Sequence, residues 1–355
     1  IRDRLPKNVD VSWKLLKSLL PSFSSKVAFP THRMRWRMFW EETNVTYTDE
    51  EWFDMYSDVV NMLIGLCDGD ETRFSDLIEA APDCMRWDRE RILKWAQETV
   101  GNIKHKKGLA WHTLREILNM HKQHPDKEWA LKKDDLSPFE QLYSQLYPKD
   151  VLVRNVWLFN ENYRTQMIDP ATAIPFELNG HEEIVEQVAT SRERAVSELV
   201  EELGLERVLE LRLEVKYPWY LGEALAKVIK DEQDLRRVWL CLEDDAPHIA
   251  FAHGFISQKL RCEEFSWMQA LVQELLEKGY SDKAVANALI VARSGQELWQ
   301  YIETLGEGVH QEYWLRMRPS FNGLKNEEIV EGINKLLQYR RFSFAVEVAW
   351  LARTD

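Results

Sequence analysis

Apolar residues recur at three- and four-residue spacing along almost the whole chain, and little interrupts them. That spacing places side chains on one face of a 3.6-residue turn, so it selects amphipathic helices over strands. Glycine (14) and proline (12) are scarce in 355 residues, so breakers are too few for a strand-and-turn architecture. Local start signals agree. "TDEEWFDMYSDVVNMLIGLC" opens on Thr48 and Glu51, a capping-box pair, and Trp52, Met55, Tyr56, Val59 and Leu63 follow along one face. "SPFEQLYSQLY" offers Ser137 as cap, Pro138 at the first helical position and Glu140 to complete the box. "SGQELWQYIETLG" repeats the device with Ser294 and Glu297 and stops at Gly306. Further helices are expected at about 11–20, 71–80, 87–101, 109–122, 181–203, 205–216, 219–230, 232–243, 247–261, 264–278, 282–292, 308–317, 326–339 and 342–353.

Strand signals are nearly absent: "DGDE" (68–71) joins two helical patterns and "NGH" (179–181) precedes one. Short helices with short connections stack as hairpins, so the expected fold is all-α. An irregular α-solenoid of HEAT or tetratricopeptide type is preferred, with a compact helical bundle as the alternative. No clean repeat period is visible, which degenerate repeats allow. The stretch "NENYRTQMIDPATAIPFELNG" (160–180), with Pro170, Pro175 and Gly180, carries little helical pattern. It divides the chain into an N-terminal subdomain (1–165), a possible linker (166–179) and a C-terminal repeat subdomain (180–355).

Charge is unevenly placed. The formal net charge is −13, yet residues 1–40 hold nine Lys and Arg against Asp3 and Asp10, a local +7 that leaves −20 on the other 315 residues. An acidic body repels phosphate backbones at long range. The four cysteines, Cys67, Cys84, Cys241 and Cys262, form no CxxC and suit a reducing cytoplasm. No apolar run approaches a membrane span, and no signal peptide is visible. The chain begins on Ile1 and ends at "LARTD" directly after a helical pattern, which reads as a fragment of a longer protein whose catalytic domain, if any, lies elsewhere.

Within the basic start, "HRMRWRMFW" (32–40) alternates Arg33, Arg35 and Arg37 with methionine and tryptophan. Cations and stacking rings together can grip nucleic acid. The preferred reading is a cationic amphipathic helix docking on acidic neighbours, which "EETNVTYTDEEW" supplies at once. His121, His124 and Asp126 have zinc-like spacing, but "MHKQHPDKEW" reads better as a helix end stopped by Pro125. His248 and His253 lie on an apolar pattern, and "HEEIVE" lacks the second histidine of a zinc protease. No nucleophile elbow, P-loop or dinucleotide fingerprint occurs, so no catalytic residue, metal or cofactor is expected. Cys241 and Cys262 are expected in the core, and Asp244–Asp245 and Glu263–Glu264 as helix caps. Aromatic residues gather in "YPWYLG" (Tyr217, Trp219, Tyr220) and "EYWLRMRP", types that dominate binding hot spots.

Several stretches taken together resemble a known group. They are "WKLLKSLLP" leading to "PTHRMRW", "HPDKEWAL" before "LYSQLYPKDVLVRNVWLF", "IAFAHGFI", "ELWQYIETLGEGVHQEYWLRMRP" and "INKLLQYRRFSFAVEVAWL". Their order is similar to that in the helical C-terminal regions of very large, poorly characterised bacterial proteins, some associated with antiphage defence. The resemblance implies a scaffold or sensor that binds a partner protein and signals to a module elsewhere, with Arg33 and Trp36 serving the shared fold or a shared interface. The expected contacts are Arg33, Arg35, Arg37, Tyr217, Trp219 and Tyr220, with nucleic-acid binding through the basic start as the alternative and no membrane partner.

Overall fold

Thr48 and Glu51 form the reciprocal box that the sequence signals: the Glu51 N–H donates to Thr48 Oγ1 at 3.2 Å, and the Thr48 N–H donates to Glu51 Oε2 at 2.9 Å. The helix they start runs Asp49–Leu66. In this computed structural model, which describes residues 8–21, 48–103, 108–160, 170, 181–318 and 323–351, every regular element is helical. The fold is all-α, with eighteen α-helices and no strand among the described residues. None of these helices is long and apolar enough to cross a membrane.

The described residues up to Arg154, with 170 and 181–186, pack as one compact unit. Its helices are α1 (Val9–Lys17), α2 (Asp49–Leu66), α3 (Glu71–Ala80), α4 (Arg86–Thr99), α5 (Gly108–Gln123), α6 (Lys133–Gln145) and all but the last residue of α7 (Val151–Asn155). Asp68 and Gly69, both at positive φ, turn the chain between α2 and α3. Packing joins α1 to α2, α2 to α4, α3 to α5 and α4 to α6. Leu16, Val60, Leu63, Ile78, Ile92, Leu114 and Phe139 fill the interior, each worth about 1.5–3 kcal/mol on burial.

Residues 155–160 and those from Gln187 onward form a second unit. It contains most of α8 (His181–Leu203), then α9 (Leu205–Leu211), α10 (Pro218–Val228), α11 (Glu232–Leu240), α12 (Ala250–Cys262), α13 (Phe265–Glu277), α14 (Asp282–Leu289), α15 (Gln296–Thr304), α16 (Glu307–Arg316), α17 (Asn326–Gln338) and α18 (Phe342–Leu351). α10, α12, α14 and α16 pack in succession, each on the next, while α13 joins α14 and α15 joins α16. The tightest crossing is α10 on α12. A Cβ on Gly222 would lie 1.9 Å from the Phe251 carbonyl oxygen, and one on Gly254 would lie 2.0 Å from that of Trp219. Only hydrogen at both positions lets the two backbones touch.

Two expected helix starts are corrected. α6 begins at Lys133, so Ser137 and Pro138 lie inside it, and Ser137 is not its cap. Asp134 and Asp135 occupy its first turn, where the positive end of the dipole favours acids. α15 begins after Gly295, with no side-chain cap from Ser294. Its Gln296 N–H is satisfied from α17, by Glu328 Oε1 at 3.1 Å. The helix expected over 205–216 ends at Leu211, and α7 has no counterpart in the expected set.

Candidate interaction surfaces

Pro218 opens α10 at a position where its missing N–H costs nothing, and Tyr217 precedes it as N-cap, tied by its own N–H to the Phe159 carbonyl at 2.9 Å. The Arg192 guanidinium from α8 lies 3.5 Å from the Tyr220 ring centroid, and its Nε donates to the Leu158 carbonyl at 3.1 Å. Arg192 is buried, so the cation–π contact is desolvated and at the strong end of its range. Tyr217 and Tyr220 rings lie 6.1 Å apart, and Lys216 Nζ sits 5.3 Å from the Tyr217 centroid. The structure therefore brings Tyr217 and Tyr220 together and leaves all three expected aromatics half-buried, with much of the cluster given an internal task. Tyr220 has its cation already, and the Trp219 backbone is pressed on Gly254. Arg33, Arg35 and Arg37, and the rest of the strip from His32 to Trp40, lie outside the described residues.

The other aromatic cluster is interior: Tyr313 and Trp314 are fully buried, and burial pushes the Tyr313 hydroxyl up to about 12. The helix-end histidine is also interior. His121, 3% exposed, accepts the Leu131 N–H through Nδ1 at 3.0 Å. Burial, with the Arg89 charge second, pushes it down to about 4. His112 and His253 are pushed to about 4, again chiefly by burial. Neutral imidazoles of this kind hold a fold together. No group of three or more His, Cys, Asp or Glu among the described residues is placed to hold a metal ion. Cys67, Cys84 and Cys241 are buried, with thiols pushed up to about 11, 12 and 11 mainly by desolvation, so they are poor nucleophiles. Cys262 is corrected: it is exposed, because it is the last residue of α12, past the packed face. Asp244 is the C-cap of the 3-10 turn Cys241–Glu243, and its carboxylate accepts from Arg212 Nε at 2.8 Å. Asp245 is corrected: it caps no helix and pairs with Lys283 at 2.8 Å.

Two surfaces were not read from the sequence. The first is a groove of about 480 Å³ along α2, with Leu19, Met55, Val59 and Met62 in its lining. Its remaining lining residues are all acids: Glu51, Asp54 and Asp58. The face expected to run from Trp52 through Leu63 divides. Val59 and Leu63 go to the core with Val60, whereas Trp52 and Met55 stay exposed. The sequence signal was Asp54 and Asp58, four apart, an acidic margin flanking Met55 and Met62, seven apart. The second surface is on α18, where Phe342, Val346 and Trp350 follow each other at every fourth residue and are 58%, 68% and 65% exposed. α17, which packs on α18, exposes Val330 and Leu337.

No protein-family model, no curated protein and no solved structure matches this chain.

Proposed function

We propose that this chain is a non-catalytic helical scaffold or sensor region that recognises a partner protein. In this reading it belongs to a larger cytoplasmic bacterial protein of the defence-associated kind its sequence resembles. The observation that carries the reading is the stripe of Phe342, Val346 and Trp350 on α18. Three large apolar side chains in line on one helix, each more than half exposed, form an apolar stripe, and large exposed apolar patches mark interaction sites. The succession of α10, α12, α14 and α16 supports stacked hairpins, and with them an irregular solenoid whose faces are broad enough for a protein partner. Tyr217, with Lys216 over its ring, is a second contact of the kind hot spots use.

The test is affinity capture with the full chain and with a Phe342→Lys, Val346→Lys, Trp350→Lys variant, from bacterial cells with and without phage, at low and high salt. A discrete protein that survives high salt with the unaltered chain and is lost with the variant is the expected result. Its appearance only in infected cells would support the defence role. Recovery of nucleic acid alone, released by salt and indifferent to the variant, would overturn the reading in favour of the basic start.

A further inference from the structure

We propose that the α2 groove is a docking site for a basic amphipathic helix of another protein, which sets its leucine-like residues between Met55, Met62 and Leu19 and its lysines or arginines against Asp54 and Asp58. The proposal rests on the recognition reading and specifies the partner's chemistry.

The groove combines an apolar lining with an uncompensated charge. α2 contains five acids, Asp49, Glu50, Glu51, Asp54 and Asp58, and no lysine or arginine. The first three sit in the opening turn, where the helix dipole favours them, and Glu51 is occupied by the capping box. Asp54 and Asp58 lie beyond that turn, one turn apart on one face, where like charges repel. Neither has a hydrogen bond or ion pair among the described residues. Two basic residues of the same unit are held by other acids. Lys17 holds Asp76 at 2.6 Å and Glu79 at 3.0 Å, and Arg73 holds Asp10 at 2.6 Å. An incoming lysine or arginine relieves that repulsion.

The lining decides what else the partner must carry. Val59 is buried and rigid, whereas methionine has an unbranched, polarizable side chain that adapts to different apolar shapes. Two methionines beside carboxylates therefore suit a ligand that is apolar on one side and cationic on its margins. From Glu51 to Met62 the groove follows about 17 Å of helix axis, the length of about three turns of a partner helix with anchors at i, i+3 or i+4 and i+7.

The test uses the full chain and a fluorescent 18-residue synthetic Leu/Lys amphipathic peptide, with binding read by anisotropy. Saturable binding is expected, weakened at least tenfold by the double variant Asp54→Asn, Asp58→Asn. Both positions are exposed, so that variant should keep its helicity and urea midpoint. A peptide with every leucine changed to serine, at the same charge, should not bind. Equal binding of the serine peptide would reduce the effect to surface charge and overturn the proposal, as would indifference to the double variant. Binding that appears only after Arg33, Arg35 and Arg37 are changed to Glu would also overturn it, because this chain's own basic strip would then hold the groove. Failure here with intact capture through the α18 stripe would remove the groove and leave the recognition reading standing.

Discussion

His121 stabilises the fold only while it is neutral, because protonating Nδ1 would turn the acceptor of the Leu131 N–H into a second donor. Its folded value of about 4 lies below the ordinary 6.5, so on acidification the unfolded chain takes up the proton first. The stabilisation is complete above pH 6.5 and is lost as pH falls towards 4. At its steepest, each such histidine contributes about 1.4 kcal/mol per pH unit. His112 and His253 share the window. The carboxylates with lowered values, Glu214, Asp245, Glu303 and Glu328, lose their advantage only from the ordinary carboxylate range downward, so among the described groups with shifted values the slope between pH 6.5 and 5 belongs to the histidines, His310 included. Urea midpoints at pH 7.5 and 5.0 should therefore fall with pH in the unaltered chain. They should fall less in His121→Asn, whose side-chain oxygen can still accept the Leu131 N–H but does not titrate in this range. His121→Ala should cost about 1–3 kcal/mol at pH 7.5 by leaving that N–H unpaired. An unchanged pH slope in His121→Asn would mean that His121 does not carry the acid sensitivity.

Gly222 and Gly254 decide how closely α10 and α12 approach. Alanine at either position drives a methyl group into the facing backbone, and the helices must part. Gly222→Ala and Gly254→Ala should each destabilise by about 3 kcal/mol, the upper end of overpacking costs. Gly65 is the internal contrast. It lies in α2, exposed, and a methyl group there would have nothing within 4 Å, so Gly65→Ala should stabilise by about 0.5–1 kcal/mol. Chemical denaturation of the three variants checks both signs, and equal effects at all three would refute the close crossing. The sequence makes all three glycines look alike, as isolated interruptions of a helical pattern, because nothing local says which one meets another backbone. The same limit explains the helix starts. The Thr48–Glu51 box spans three residues and could be read directly, whereas the cap of α15 comes from Glu328, 32 residues downstream. The α2 groove was obscured for a related reason. Met55 fits the core stripe by spacing alone, and only the packed neighbours reveal that it stays outside.

Residues 155–160 pack with the second unit although α8, the next described helix, starts only at His181. The strap is well anchored. Asn155 Nδ2 donates to Glu198 at 3.0 Å, Leu158 accepts from Arg192, Phe159 accepts the Tyr217 N–H, and Asn160 Oδ1 accepts the Lys216 N–H at 2.8 Å. Leu158 and Phe159 are buried. The proline- and glycine-bearing stretch after residue 160 marks in sequence where the helical pattern stops, but the ownership of the strap rests on partners 34, 43 and 56 residues away. Such partners leave no local spacing to read. If the units are separate cooperative bodies, damage to the strap should be felt in one of them. Phe159→Ala removes a fully buried ring and should destabilise the second unit by about 3–5 kcal/mol. Hydrogen exchange followed by mass spectrometry on the full chain should then lose protection across α8–α16 and keep it across α2–α6. Leu114→Ala, in the interior of the first unit, should do the converse at a cost of about 2–5 kcal/mol. Uniform loss of protection along the chain in either variant would mean that the two units unfold as one. A change at the α18 stripe could then reach the α2 groove through global stability alone, so the separation of the two surfaces as independent docking sites depends on this outcome.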